Sequence, residues 1–359
     1  MPVAGEGETT LSDVIVAPST RDLDELAQEL AGWMSGKMPE AKDLVIENLA
    51  YPRGAGQSHE TILFDARWTE GGQPRAQGYV VRIKPSSFTV YVDTLFEEQY
   101  KIMQVLHEGG YVKVAKPMWF EEDESILGNP FFVMEKVHGR VPVSIPPYAK
   151  EGWLSEATPQ QRRTLWENAV EQLAAIQSVP LDKLDFLKGP PGAESGLAQE
   201  WDKFERGALW VIEHVGSPAV ERSLKRLKSL WPDNQPEGLV WGDARIGNMM
   251  FDDNFEVVAV MDWEQPSLGG ALNDLAWFVV LSEVMHGHNA QNGTYLEGMG
   301  TREETIARWE ELTGKSAADI EWYEDFTHFK MTCTGLRMGH WRGKQMMTED
   351  VIARRLKVA

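Results

Sequence analysis

The chain has 359 residues, of which 42% are hydrophobic, with 14 Trp and 13 Phe, which is enough for sizeable cores and for two lobes around a cleft. A formal charge of −20 excludes nucleic acid and anionic membrane as general partners, since both repel such a surface, and is compatible with a cationic small molecule. The one cysteine, Cys333, cannot close an internal disulfide, which fits a reducing cytoplasm; the first residues show no signal peptide, and no apolar run of about 18 residues predicts a membrane span.

In chain order, residues 1–19 read as an extended tail. A helix is expected from Thr20 through Met34, with Leu23, Leu26, Leu30 and Trp33 at helical spacing and Gly36 closing it. Residues 44–51, 59–68 and 78–84 are three short runs separated by turn residues, the pattern of an antiparallel meander. Between the first two lies Arg53-Gly54-Ala55-Gly56-Gln57-Ser58. Its glycines would let backbone N–H groups approach phosphate oxygens, although read alone such a stretch is more often a hairpin. The third run carries two cations, Arg82 and Lys84, which a period of two puts on one strand face. A helix over 95–109 follows, and 129–140 reads as a buried strand that ends at Gly139.

Thr158 is placed to cap a helix with Pro159 in its first turn and Pro180 past its end; Leu165, Ala169, Leu173 and Ile176 form its core stripe. The Pro-rich stretch 142–157 before it reads as a loop. Further helices are expected over 197–215, 218–232 and two segments beyond residue 300. Trp153, Trp201, Trp277, Trp322 and Trp341 are candidates for the wall of an acceptor pocket, most of them expected in the core. His286 and His288 face different ways on a helix, so a metal pair is not expected there.

The chemistry centres on residues 238–264. Two apolar runs, Leu239–Trp241 and Val257–Met261, read as strands that each end near an aspartate, Asp243 and Asp262. Asn248 follows Asp243 by five residues. Phosphoryl transfer needs one aspartate to orient the attacking hydroxyl, with an asparagine and a second aspartate holding Mg²⁺ against the nucleotide phosphates. Magnesium takes oxygen ligands, only one or two of them carboxylates.

The stretch VWGDARIGNMMFDDNFEVVAVMDWEQPSLGGALNDLAWFV resembles the core of the aminoglycoside phosphotransferase/choline kinase-like family, relatives of protein kinases. It is most similar to the branch of phosphotransferase-like domains fused to some acyl-CoA dehydrogenases. Trp241 stands where that family usually has histidine. The resemblance implies an α+β, protein-kinase-like two-lobe fold, with a nucleotide-binding lobe over 20–138 and a catalytic and acceptor-binding lobe over 139–359. It implies that Asp243 is the base or orienter, that Asn248 and Asp262 hold Mg²⁺, and that Gly54, Gly56, Ser58 and Arg82 hold the phosphates. By the same resemblance Met134, Glu135 and Val137 lie at the adenine, and Asp274 braces the catalytic loop. The acid that pairs with the strand cation falls at Gln99, leaving Glu98 as an alternative.

The implied activity is transfer of the γ-phosphate of ATP or GTP to a hydroxyl of a small molecule by a cytoplasmic enzyme, monomer or homodimer. Two rivals are a nucleotide-binding pseudokinase with a regulatory role and a protein kinase-like activity. The short loop Gln265–Gly270, where protein kinases keep an activation segment, disfavours the latter.

Overall fold

Helix α1 (Leu23–Lys37) begins where the Asp22 carboxylate accepts from the N–H groups of Asp24 and Glu25, and its Leu26, Leu30 and Met34 are buried one turn apart. The structure is a computed structural model that describes residues 21–52, 60–85, 91, 93–191, 193–287 and 295–359. Three antiparallel strands follow, β1 (Lys42–Ala50), β2 (Glu60–Glu70) and β3 (Gln73–Ile83). The β2–β3 hairpin turns on Gly71-Gly72, both at positive φ, the backbone that a two-residue turn between right-twisted strands demands.

After α2 (Phe96–Gly109) come β4 (Pro117–Glu121), the short α3 (Glu124–Leu127) and β5 (Phe131–Glu135). The sheet order is β1-β2-β3-β5-β4, antiparallel throughout. One face buries Ile62, Phe64, Tyr79, Val81, Ile83, Phe131 and Val133 against α1. With a period of two, Arg82 falls on the opposite face.

The chain divides into two compact units, one of residues 1–88 with 116–137, the other of 89–115 with 138–359. The second crossing lies at Val137/His138, and residues 89–115 group with the second unit. The reason lies in the stretch after α2. There the Lys113 N–H donates to Gln172, the Lys113 carbonyl accepts from the Val260 N–H at 2.6 Å, and the Tyr111 hydroxyl accepts from Lys183.

The rest of the second unit is mostly helical. It holds α4 (Trp153–Glu156), α5 (Pro159–Ala175), α6 (Leu197–His214), α7 (Pro218–Ser229), α8 (Leu272–His286), α9 (Arg302–Thr313), α10 (Ile320–Trp341) and α11 (Glu349–Arg355). Thr158 with Gln161 and Thr301 with Glu304 form reciprocal caps at the starts of α5 and α9. Eleven residues of α8 are buried, so it has no polar face and runs through the core. Cys333 is a buried free thiol on α10. No helix among the described residues is long and apolar enough to cross a membrane.

One expectation fails locally. Leu239–Trp241 is not a sheet strand; only Val240 pairs, in a single bridge with Ser267. The two-stranded ribbon is instead β6 (Met249–Phe251) with β7 (Val257–Val260). Gly242, at φ +103°, breaks the extended run immediately after Trp241, so Asp243 sits on a turn rather than at a strand end.

Candidate active site

The Asp243 carboxylate is fixed by three donors. Asn248 Nδ2 reaches Oδ2 at 2.6 Å, Arg245 Nε reaches Oδ2 at 3.0 Å, and the Trp277 indole reaches Oδ1 at 2.8 Å. Asn248 Nδ2 also donates to the Asp243 carbonyl at 3.1 Å, so the five-residue spacing closes on itself through one amide. A carboxylate pinned from two sides by neighbours buried to different depths presents its remaining lone pairs in one direction.

The turn that carries Asp243 is braced from α8. Asp274 accepts from the Trp241 N–H at 2.5 Å and the Gly242 N–H at 3.0 Å. Burial raises its carboxyl to about 7 against the pull of those two backbone donors. Trp241, fully buried, donates its indole N–H to the Met261 carbonyl at 2.8 Å, tying the Asp243 turn to the chain just before Asp262. An indole here thus supplies a donor and core volume where the family's usual histidine is missing. A Cβ on Gly242 would stand 2.6 Å from the Gln265 carbonyl oxygen. Gly242→Ala therefore combines a steric clash with a disfavoured φ and is expected to destabilise by at least about 1–3 kcal/mol, read as a lowered urea midpoint. An unchanged midpoint would show that the turn relaxes freely.

Asn248 and Asp262 come together through the ribbon. Met249 pairs with Val260, and the Met261 N–H donates to the Asn248 carbonyl at 2.9 Å, so the ladder sets Asn248 across from the residue that precedes Asp262. Asp262 has φ +63°, a left-handed conformation that ends the extended run at the carboxylate. Asn248 uses its amide N–H on Asp243, which leaves the side-chain oxygen as its outward ligand. An amide oxygen and a carboxylate are both hard oxygen donors of the kind that magnesium takes.

Residues that the sequence reading did not single out complete the site. Arg245 bridges Asp243 and the Ser144 hydroxyl, the latter at 2.9 Å; burial lowers its pKa, but Asp243 and Asp262 outweigh it and hold the guanidinium above its ordinary value. Gly247 makes room, because a Cβ there would meet the Arg245 guanidinium at 2.5 Å. The Tyr91 hydroxyl is held well above its ordinary pKa, first by burial and then by Asp243, Glu264 and Asp262. A cation two residues after the candidate carboxylate Asp243 was the available signal for Arg245. Tyr91 lies far away in sequence and gave none.

In the first unit, Arg82 on β3 pairs with Thr61 of β2 and Phe132 of β5, and Lys84 lies just beyond the strand, its N–H donating to the Pro130 carbonyl. Met134 and Glu135 end β5. The N–H groups of Glu135 and Lys136 are taken by the carbonyls of Lys116 and Gly78, and the Glu135 carboxylate accepts from Gln77. Val137 follows as the last residue of the unit. Gly54, Gly56 and Ser58 lie outside the described residues.

In the second unit, Glu98 is half-buried on α2. Gln99 is fully buried, and both its side-chain polar atoms lack a hydrogen-bond partner among the described residues. Of the five candidate tryptophans, Trp277 touches the site through Asp243. Trp201 and Trp322 stack in an aromatic core with Trp231 and Phe326, Trp153 donates to the Val141 carbonyl, and Trp341 is exposed. His286 is buried with Nδ1 at 2.7 Å from the Ser282 carbonyl, a core histidine; His288 lies outside the described residues.

The sequence profile of the phosphotransferase enzyme family matches residues 52–312. The chain belongs to that family. Within the phosphotransferase family, a relative is acyl-CoA dehydrogenase family member 11 of Homo sapiens, 29% identical over 238 residues, which are 63% of this chain and 29% of the relative. The chain thus spans less than a third of that protein's length. A provisionally assigned aminoglycoside phosphotransferase of Ralstonia eutropha JMP134 has the same fold, with TM-score 0.65 at 23% identity over 92% of this chain and 94% of its own. So does an aminoglycoside phosphotransferase in ternary complex with ADP and hygromycin B, with TM-score 0.53 at 15% identity over 91% and 98% of the two chains. The kinase-like α+β fold and the resemblance to domains fused to acyl-CoA dehydrogenases are both shown.

Proposed function

We propose that this phosphotransferase-family chain transfers the γ-phosphoryl group of ATP or GTP to a hydroxyl of a small molecule. The observation that carries the reading is the Asp243 carboxylate, held by Arg245, Asn248 and Trp277 on a turn next to the ribbon that follows Asn248 and precedes Asp262. Asp243 accepts the hydroxyl proton as the acceptor oxygen attacks phosphorus, and the bond from phosphorus to the β-phosphate oxygen breaks to release the nucleoside diphosphate. Asn248 and Asp262 hold Mg²⁺, which when bound neutralises charge on the donor phosphates. Arg82, with the Gly54, Gly56 and Ser58 loop, holds the phosphates, and main-chain groups around Glu135 to Val137 bind the adenine, with Met134 behind its ring. In this reading the first unit serves the nucleotide and the second serves the chemistry and the acceptor.

The test is a Mg²⁺-dependent turnover assay with ATP and GTP against hydroxylated small molecules, preceded by thermal melts. Nucleotide at a hundred times its dissociation constant should stabilise by about 2.7 kcal/mol, and only with a divalent metal, because the Asn248/Asp262 oxygens repel phosphate without one. A melt unmoved by either nucleotide at millimolar concentration with Mg²⁺ would sink the reading.

Arg82 and Lys84 separate by position. Arg82 stands within the ladder, rigidly backed by β2 and β5, whereas Lys84 lies past the strand end. Arg82→Ala is expected to reduce kcat/KM about 10-fold or more beyond Lys84→Ala, the worth of a charge-assisted contact to phosphate. Loss confined to Lys84→Ala would show that the other cation holds the phosphates.

A further inference from the structure

Within the second unit, the turn that carries Asp243 rests on a cluster of buried charge drawn from α6, α8 and α10. Lys330 of α10 is 2% exposed; its Nζ faces the Glu200 carboxylate of α6 at 3.4 Å and donates to Asn273 Oδ1 of α8 at 3.2 Å. Three aromatic rings close around the same ammonium, Phe326 at 4.8 Å, Phe204 at 5.0 Å and Trp277 at 5.3 Å. Trp277 is the ring whose indole N–H donates to Asp243 Oδ1. Next to Asn273 in sequence is Asp274, which accepts from the N–H groups of Trp241 and Gly242, immediately before Asp243. One ammonium therefore acts on both groups by which α8 reaches the Asp243 turn.

Charge balance identifies what the ammonium does there. Charges out of water persist where they are paired. Lys203 joins Lys330 in the cluster, 3.9 Å from Glu200 and donating to the Gln265 carbonyl at 3.2 Å, so Glu200 is one anion beside two cations. Asp93 also acts on Lys203, but Arg206 holds it in a bidentate pair at 2.8 and 2.6 Å. The carboxylate that balances the second ammonium is Asp274, 1% exposed, on which the charges of both lysines act. Among the described residues the cluster is neutral when Asp274 is ionised.

Ionisation also suits the turn. A carboxylate has both oxygens free to accept, one for each backbone N–H, whereas in the neutral acid one oxygen carries the proton. Burial opposes the charge and raises the Asp274 carboxyl; the Trp241 and Gly242 N–H groups and then Lys330 pull it down, Glu200 adds to the rise, and the balance stands at about 7. Burial likewise lowers the Lys330 ammonium, with Glu200 and Asp274 working against that.

We propose that Lys330 is a positioning residue for Asp243, keeping Asp274 ionised so that both N–H groups of the turn are held, and seating the Trp277 ring in the pose that donates to Asp243. The work given to Asp243 is that of the phosphotransfer reading, on which this rests. Lys330 itself lies behind Trp277 and Asp274 and acts through them. Loss of its charge lets Asp274 take up a proton, one tether of the turn slackens, and Asp243 loses the direction in which its lone pairs point.

NMR of the full chain, isotope-labelled at tryptophan and titrated across neutral pH, tests this without nucleotide. The Trp241 amide reads Asp274 directly and the Trp277 indole reads Asp243. In the parent both signals should move together, with one midpoint near the Asp274 value of about 7. Lys330→Gln keeps a donor for Glu200 and Asn273 but removes the charge. Losing a cation disfavours the carboxylate, so the midpoint should rise by about 1 pH unit or more. Lys330→Arg keeps the charge and should hold the parent midpoint, whereas a lysine that only fills space would leave it unmoved in both variants. An unmoved midpoint in Lys330→Gln, or an equal rise in Lys330→Arg, overturns the proposal. Should Lys330→Gln fail to fold, the parent decides, and separate midpoints for the two signals or no titration of the Trp241 amide overturn it. Melts of the same samples with MgATP report separately on phosphotransfer. Their failure would remove that reading and leave the link from Lys330 to Asp274 to be judged by the midpoints.

Discussion

Asp243→Asn should leave Mg-nucleotide affinity near that of the parent while turnover with a true acceptor falls by roughly 10²–10⁴-fold, the range for loss of a positioned proton acceptor. The substitution keeps the shape and removes the charge. It retains an oxygen for two of the three present donors, Asn248, Arg245 and Trp277, so the turn should hold together. Asp262→Ala supplies the contrast. It removes a carboxylate from the proposed metal pair and should weaken nucleotide binding itself, seen as loss of the MgATP melting shift. Parent-like turnover by Asp243→Asn would show that the proton goes elsewhere.

Glu200→Gln should be among the most destabilising single changes in the protein, at about 3–5 kcal/mol by urea denaturation, because it strands buried ammonium groups. Glu200, 1% exposed, accepts from the Ser267 hydroxyl at 2.7 Å and faces Lys330 at 3.4 Å and Lys203 at 3.9 Å; Lys330 is itself 2% exposed and donates to Asn273 at 3.2 Å. Burial alone would raise the Glu200 carboxyl, but Lys203 and Lys330 outweigh it and hold the group below its ordinary 4.5. The folded state therefore binds this proton less readily than the unfolded chain. The stabilisation is fully present above about pH 4.5 and is lost as pH falls through the lower folded value, so the gap between parent and Glu200→Gln should close in acid. A difference below about 1 kcal/mol at neutral pH would mean that water reaches the cluster and relieves the lysines.

Much of the fold was legible because its signals are local. Helical spacing, with Thr158 at the start of one, marked the helices, and turn residues between three short runs marked the antiparallel meander. The order Asp243, Asn248, Asp262 marked the candidate site. What escaped is non-local. Leu239–Trp241 has strand composition but no neighbouring strand to pair with, because Asp274 takes the next two backbone N–H groups after Val240. The grouping of 89–115 with the second unit depends on partners such as Gln172 and Val260, and the lysines of the Glu200 cluster lie on separate helices.

The order of the sheet bears on how the chain is made. Strands β1 to β3 are consecutive, but the neighbour that completes β3 is β5, some fifty residues later, with β4 outside it. During synthesis the N-terminal meander therefore waits, with a bare hydrogen-bonding rim on β3, until residue 135 has left the ribosome. A rim bearing Tyr79, Val80, Val81 and Ile83 is a template for pairing with another nascent chain. Translation pauses between residues 84 and 131 would prolong that exposure, so the yield of soluble protein should depend on how quickly this segment is read.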